Sequence, residues 1–333
     1  MPSDLSRGFD EIFRRAQVSG MVVAVVDGER TYVAGFGRAR VGTAGRPDGR
    51  TLVRINSLTK VMTGEVLANL LAERRVALDD PLMRYAPTGR IVPARAGARP
   101  ITLLDLAAHT SGLPRDNPPG MSAHDRWRWL SSLKLARGPG RVAQYSNTAY
   151  MFLGDALERA AGESTDALIK KYVTAPLGLA DTTLAPSPEQ CVRLMTNGTT
   201  THPCRATHDI AAMGGLYATA DDMVLWLRAH MEAPPGSPRE QTQRPLVKRH
   251  ELERMIALDF AGEVDAIAMG WLVMRLGGTR VLQKTGGGGG FMNYAILAPE
   301  KRKAIFVTVS RVDIEMLRKL TIRVNRLMRR LMQ

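Results

Sequence analysis

Strand-like segments of this 333-residue chain gather at its two ends. Near the N-terminus, Met21-Val22-Val23-Ala24-Val25-Val26 is an unbroken apolar, β-branched run. Asp27-Gly28 then offers a hairpin turn, and residues 31–37 run back. Near the C-terminus, residues 269–276 and 279–285 read as strands joined by Gly277-Gly278. Residues 291–297 and 303–309 read as a second antiparallel pair around Pro299-Glu300-Lys301-Arg302. From about residue 60 to 235 the pattern is helical and punctuated by Pro/Gly loops. Strands at both ends with helices between predict an α+β fold. In it, one antiparallel sheet is built from both chain ends (1–60 and 262–333) and flanked by terminal helices. A mainly helical region, 61–261, is inserted, and a functional site falls at the junction.

Shorter signals fill in this outline. Residues 4–18 form an amphipathic helix with Leu5, Phe9, Ile12 and Phe13 on one side. The last segment is a helix whose stripe is Ile314, Leu317, Leu320, Val324, Leu327 and Leu331. Its charges run from Asp313 and Glu315 to Arg329 and Arg330, the order the helix dipole favours. Covering the sheet is its ordinary role, and lying on a membrane surface is the alternative. Asp79-Asp80-Pro81-Leu82 has proline in a first helical turn. Residues 102–109 form a helix in which Thr102 and Asp105 make a capping box. His109 at its end reads as a packed, hydrogen-bonded histidine. Further helices are predicted over 125–135, 147–161, 166–173 and 220–232.

The formal net charge of +14 favours anionic surroundings, namely nucleic acid, anionic lipid or an acidic cell-wall polymer. Basic residues are spread throughout, with no zinc finger and no long Lys/Arg run, so nucleic acid is not the expected partner. Met1-Pro2-Ser3-Asp4-Leu5-Ser6-Arg7 is no signal peptide, which leaves a cytoplasmic location open beside an exported one. Cys191 and Cys204 bracket a short polar loop, either as two reduced thiols or as a disulfide that needs an oxidising compartment. A zinc site from Cys191, Cys204, His202 and His208 matches no metal-motif spacing.

Three stretches carry chemistry. Residues 51–55 are a short strand delivering the chain to Ser57, and from Thr59 a helix follows. Ser57 and Lys60 then lie one turn apart on the same side, so the amine reaches the hydroxyl. A lysine of lowered pKa can activate such a serine, and the helix N-terminus suits an oxyanion beside it. A second Ser-x-x-Lys, Ser131/Lys134, lacks comparable surroundings and is set aside. Gln144-Tyr145-Ser146-Asn147 follows a Gly-Pro-Gly loop. A lysine ammonium nearby would lower the Tyr145 pKa and fit it to shuttle a proton, while the Asn147 amide can hold a substrate amide. The alternative is a tyrosine packed under a helix capped by Ser146 or Asn147. The third stretch is Lys284-Thr285 followed by five glycines, Gly286 to Gly290. Lys284 and Thr285 suit a carboxylate, and Gly286 and Gly287 would let a substrate backbone approach. The bland reading is a flexible hairpin tip.

Ser57-x-x-Lys60, Tyr145-x-Asn147 and Lys284-Thr285-Gly286, in this order, resemble the penicillin-recognising serine hydrolases. Tyr-Ser-Asn in the second motif resembles the class C β-lactamase branch with its peptidase and esterase relatives. Residues 101–114, 175–182 and 214–227 look like scaffold signatures of the same family. The cysteine pair and the Lys-Thr-glycine run are similar to the AmpH-type periplasmic D-alanyl-D-alanine carboxypeptidase/endopeptidase group. The resemblance implies a β-lactamase/transpeptidase-like fold and an acyl-enzyme on Ser57, with Lys60 and Tyr145 moving protons. It implies Asn147, Lys284, Thr285, Gly286 and Gly287 as substrate-binding residues, with no metal and no cofactor. The implied partners are peptidoglycan peptides and β-lactams, with peripheral association to an anionic cell-wall or membrane surface. A periplasmic location is implied, which this N-terminus does not itself encode. The same residues would serve a β-lactamase or a carboxylesterase. A non-catalytic penicillin-sensing or scaffold protein is the reading from another class.

Overall fold

The computed structural model describes residues 1–40, 44–196 and 204–333. Helix α1 (Ser3–Ala16) leads into a hairpin of β1 (Gly20–Asp27) and β2 (Arg30–Gly37). Helix α2 (Thr59–Ala72) opens the helical region, followed by α3 (Leu103–Ala107), α4 (Ala123–Ser132), α5 (Asn147–Ala161) and α6 (Ala220–Met231). The chain then returns as β3 (Val247–Lys248), β4 (Ala266–Ile267), β5 (Leu272–Leu276), β6 (Thr279–Gly288), β7 (Phe291–Ala298) and β8 (Lys303–Val309). Helix α7 (Ile314–Leu331) ends it. The eight strands form one antiparallel sheet in the order β2-β1-β8-β7-β6-β5-β4-β3. The two chain ends meet where β1 pairs with β8, Val22 opposite Thr308.

The unbroken apolar run of β1 follows from burial of both sheet faces, with side chains alternating between them. Val22, Ala24 and Val26 face a core shared with the helical region. Met21, Val23 and Val25 face a second core under α1 and α7, with Phe9, Leu320 and Val324. Helix α7 therefore covers the sheet through Leu317, Leu320, Val324 and Leu327, and Asn325 accepts a 2.8 Å hydrogen bond from Tyr294. Ile314, expected on that stripe, is instead 62% exposed. Among the described residues no helix is long and apolar enough to cross a membrane.

Several local expectations are met, because they depend on neighbours in sequence. Thr102 and Asp105 make the capping box of α3, and Ser146 caps α5 through the Ala149 N–H. Others shift for tertiary reasons. Pro81 opens only one 3₁₀ turn, Leu82–Tyr85, because backbone bonds of Asp80 and Leu82 run sideways to Leu103 and Ile101. The strand expected from 269 begins at Leu272, since Gly270 lies against the Lys60–Val61 backbone of α2. The first glycines of the run after Thr285 belong to β6 rather than to a hairpin tip. Strand β3 lies within the segment read as helical. Cys191 and Cys204 form a disulfide, which commits both sulfurs to each other and removes them as zinc ligands. His202 and the loop from Asn197 to Pro203 lie outside the described residues.

Candidate active site

The turn before α2 sets the site. Asn56 adopts a left-handed backbone, φ 51°, which asparagine tolerates better than most residues. Its amide donates to Arg54 O at 3.0 Å and to Gly288 O at 2.9 Å, pinning the turn to the end of β6. Ser57 follows in a 3₁₀ turn, Asn56–Leu58, that runs straight into α2. Gly286 is the counterpart on β6. A Cβ there would lie 2.4 Å from Ile55 O and 3.2 Å from Ser57 N. This glycine therefore admits the serine turn itself rather than a substrate backbone, which corrects the expectation for Gly286. Gly287, by contrast, is exposed and lines the cleft. β5 pairs with β6 only as far as Gln283, and among the described residues no further strand pairs with that edge of β6 beyond it.

Tyr145 arrives from the other side. Residues Val142–Gln144 pair in parallel with Arg254–Ile256, and the Tyr145 N–H donates to Ile256 O at 3.1 Å. The Tyr145 hydroxyl lies 2.6 Å from Ser57 Oγ. Lys60 Nζ lies 3.3 Å from the same oxygen, 2.8 Å from Asn147 Oδ1 and 2.5 Å from Met213 O. Asn147, the first residue of α5, donates its Nδ2 to Asp116 Oδ1 at 2.7 Å. Ser57, Lys60, Tyr145 and Asn147 thus form one hydrogen-bonded cluster. Lys284 joins it through space, its amine 5.1 Å from the Tyr145 ring centroid, and Thr285 lines the same cleft. Ser131 is elsewhere, its hydroxyl bonded to the Ile91 backbone.

Burial governs the protonation states. It holds Lys60 well below the usual lysine range, helped by the charge of Lys284. Burial also brings Lys284 down to about 7. Lys60 donates to Asn147 Oδ1 and Met213 O, so that on losing its third proton it would turn its lone pair to the Ser57 hydroxyl. Tyr145 departs from the expectation of a lowered pKa. Burial pushes it up to about 12, outweighing the lowering by the Ser57 hydrogen bond and by Arg115. The phenol is therefore protonated and can donate, while Lys60, whose pKa burial lowers, is the member of the pair suited to accept a proton.

Four contributors escaped the sequence reading: Asn56, Arg115, Asp116 and the Met213 carbonyl. Their contacts join segments far apart in the chain, so no local pattern announces them. His109 is packed as expected. It is buried, its Nδ1 accepts from the Ser146 N–H at 3.1 Å, and its ring lies 4.8 Å from that of Tyr145. Burial, helped by the charge of Lys284, holds its pKa well below the usual histidine range. The cleft holds about 220 Å³, and Leu258, Phe260, Met292, Val312 and Ile314 form its apolar side.

A Ser-Lys-Tyr cluster at the edge of such a sheet, beneath a helical region, defines the β-lactamase/transpeptidase-like architecture. A family model for β-lactamase matches residues 6–327, and the chain belongs to the β-lactamase family. It is 39% identical over 322 residues to the Escherichia coli K12 D-alanyl-D-alanine-carboxypeptidase/endopeptidase AmpH, covering 92% of this chain and 83% of that protein. A crystal structure of a β-lactamase/D-alanine carboxypeptidase from Yersinia pestis, complexed with citrate, superposes with a TM-score of 0.89 at 37% identity over all of both chains. A class C β-lactamase from Rhodobacter sphaeroides shares the fold at 19% identity, with a TM-score of 0.79 over 98% of this chain and all of that one.

Proposed function

We propose that this chain is a serine-type D-alanyl-D-alanine carboxypeptidase/endopeptidase acting on peptidoglycan peptides through an acyl-enzyme, and that it binds β-lactams at the same serine. The observation that carries the reading is the placement of Ser57 Oγ between the Tyr145 hydroxyl at 2.6 Å and the Lys60 amine at 3.3 Å. The 39% identity to a protein named for that activity supports it. In this account Ser57 Oγ attacks the scissile carbonyl carbon and its proton passes to neutral Lys60. The phenol of Tyr145 protonates the departing amine nitrogen and recovers a proton from Lys60. The N–H groups of Ser57 and Gly287 hold the oxyanion, each such donor being worth about 3–4 kcal/mol. Asn147 has one Nδ2 hydrogen left after Asp116 and offers it to the acyl-side amide. Lys284 and Thr285 anchor a carboxylate. Water then attacks the acyl carbon and gives its proton to Lys60, while the Tyr145 phenol protonates the departing Ser57 oxygen and recovers a proton from Lys60.

A periplasmic location accords with the Cys191–Cys204 disulfide, which persists in oxidising compartments. Exposed Arg318, Arg326, Arg329 and Arg330 on α7 support peripheral association with an anionic cell-wall or membrane surface. The test is release of D-alanine from an acetylated peptide ending in D-Ala-D-Ala. Wild type should release it, and Ser57→Ala should lose at least about 10³-fold in rate. Release that survives Ser57→Ala would sink the proposal.

A further inference from the structure

We infer that His109 is a positioning residue for Tyr145, clamping the backbone on both flanks of the tyrosine and backing its ring, so that the phenol keeps its reach to the leaving group beside Ser57. The inference adds a residue to the reaction and rests on the peptidase reading above, which gives Tyr145 its proton transfer.

The backbone comes first. The Gln144 N–H donates to the His109 carbonyl at 2.8 Å, and the Ser146 N–H donates to His109 Nδ1 at 3.1 Å. One residue thus holds the peptide groups before and after Tyr145, whose own N–H goes to Ile256 O. His109 is the second residue after α3 and has a left-handed backbone, φ 59°. Glycine most often fills such a place after a helix. A glycine there would supply the carbonyl for Gln144 but no acceptor for Ser146, so the turn alone does not account for an imidazole.

The ring comes next. It sits between two tyrosines, its centroid 4.8 Å from that of Tyr145 and 5.1 Å from that of Tyr150. Tyr150 is itself fixed, its hydroxyl donating to Ala107 O at 3.0 Å. The imidazole is therefore a spacer between an anchored ring and the one whose hydroxyl lies 2.6 Å from Ser57 Oγ. Nδ1 accepts from Ser146 only while unprotonated, and burial together with the charge of Lys284 disfavours the imidazolium. His109 is buried behind Tyr145 and touches no reacting atom. It acts through the tyrosine, so only steps that draw on the phenol should feel its loss.

The experiment compares diacetyl-L-lysyl-D-Ala-D-Ala with the matching thiolester, diacetyl-L-lysyl-D-alanyl-D-thiolactate, through kcat/KM, which reports the steps up to departure of the leaving group. An amine needs a proton to depart and a thiolate does not, so the peptide draws on Tyr145 far more than the thiolester. His109→Phe keeps a ring between the tyrosines but removes the acceptor. It should lose about 10²-fold on the peptide, the scale of a misplacement near 1 Å, and less than about threefold on the thiolester. In His109→Asn, Oδ1 lies two bonds beyond Cβ, as Nδ1 does, and asparagine tolerates the left-handed backbone. That variant should keep the wild-type peptide-to-thiolester ratio to within about threefold. Each variant decides the matter if the other fails to fold. An equal fall on both substrates in His109→Phe, no fall at all, or a collapsed ratio in His109→Asn overturns the inference and leaves the peptidase reading standing. A wild type that cannot cleave the peptide overturns the peptidase reading and the inference with it.

Discussion

Gly286→Ala should cripple the site without touching a reacting atom. The added Cβ would sit 2.4 Å from Ile55 O and 3.0 Å from Leu58 Cδ1. A relaxed carbon–oxygen contact is about 3.3 Å, so β6 and the serine turn must part by about 0.9 Å. The obstructing atom is the Ile55 backbone carbonyl, in a turn pinned by the Asn56 amide bonds to Arg54 O and Gly288 O, and no side-chain rotation relieves it. A misplacement near 1 Å costs about 10²-fold in rate, or about 2.7 kcal/mol of activation free energy. Overpacking should also cost about 1–3 kcal/mol of stability. The assay is the second-order rate of acylation by a fluorescent penicillin, with melting followed in parallel. Gly45→Ala, whose Cβ would meet nothing within 4 Å, is the control and should match wild type. Wild-type acylation and melting in Gly286→Ala would refute the claim that this glycine seats the serine turn.

The remaining predictions concern charge, orientation and the cross-link. Lys284, brought down to about 7, is cationic below that pH and neutral above it. Affinity for a carboxylate-bearing substrate should therefore fall as pH rises through about 7, read as KM against pH, and Lys284→Arg should move the fall to much higher pH. Asp116→Ala frees the Asn147 amide to turn, which should lower kcat/KM by about tenfold while leaving the melting temperature almost unchanged. Replacing Cys191 and Cys204 by serine opens a cross-link between residues 13 apart, and should cost about 3 kcal/mol in denaturant unfolding.

How far the sequence reaches depends on the range of each interaction. Ser57 and Lys60 could be placed together because helical spacing alone brings them to one side. The Thr102–Asp105 box and the hairpin at Gly28 are local in the same sense. The clustering of strands at both ends conveyed that the termini share a sheet, because an apolar run such as 21–26 needs cover on both faces. The protonation of Tyr145 was beyond reach, since it depends on burial that no motif records. So was the part played by Gly286, whose crowding comes from Ile55, over 200 residues away. No local pattern singles out Arg115 and Asp116, which only the fold sets beside Asn147. Strand β3 is two residues long and offers no period to detect.

The central claim is that Ser57 is the acyl acceptor. Intact mass during incubation with benzylpenicillin tests it most directly, with Ser57→Ala alongside. The account predicts a lasting adduct of one drug molecule on wild type, localised by peptide mapping to the segment containing Ser57 and missing from the variant. A short-lived adduct with steady loss of the drug would keep Ser57 but point to a β-lactamase. An adduct that persists in Ser57→Ala, or no adduct and no drug consumption at all, would contradict the account.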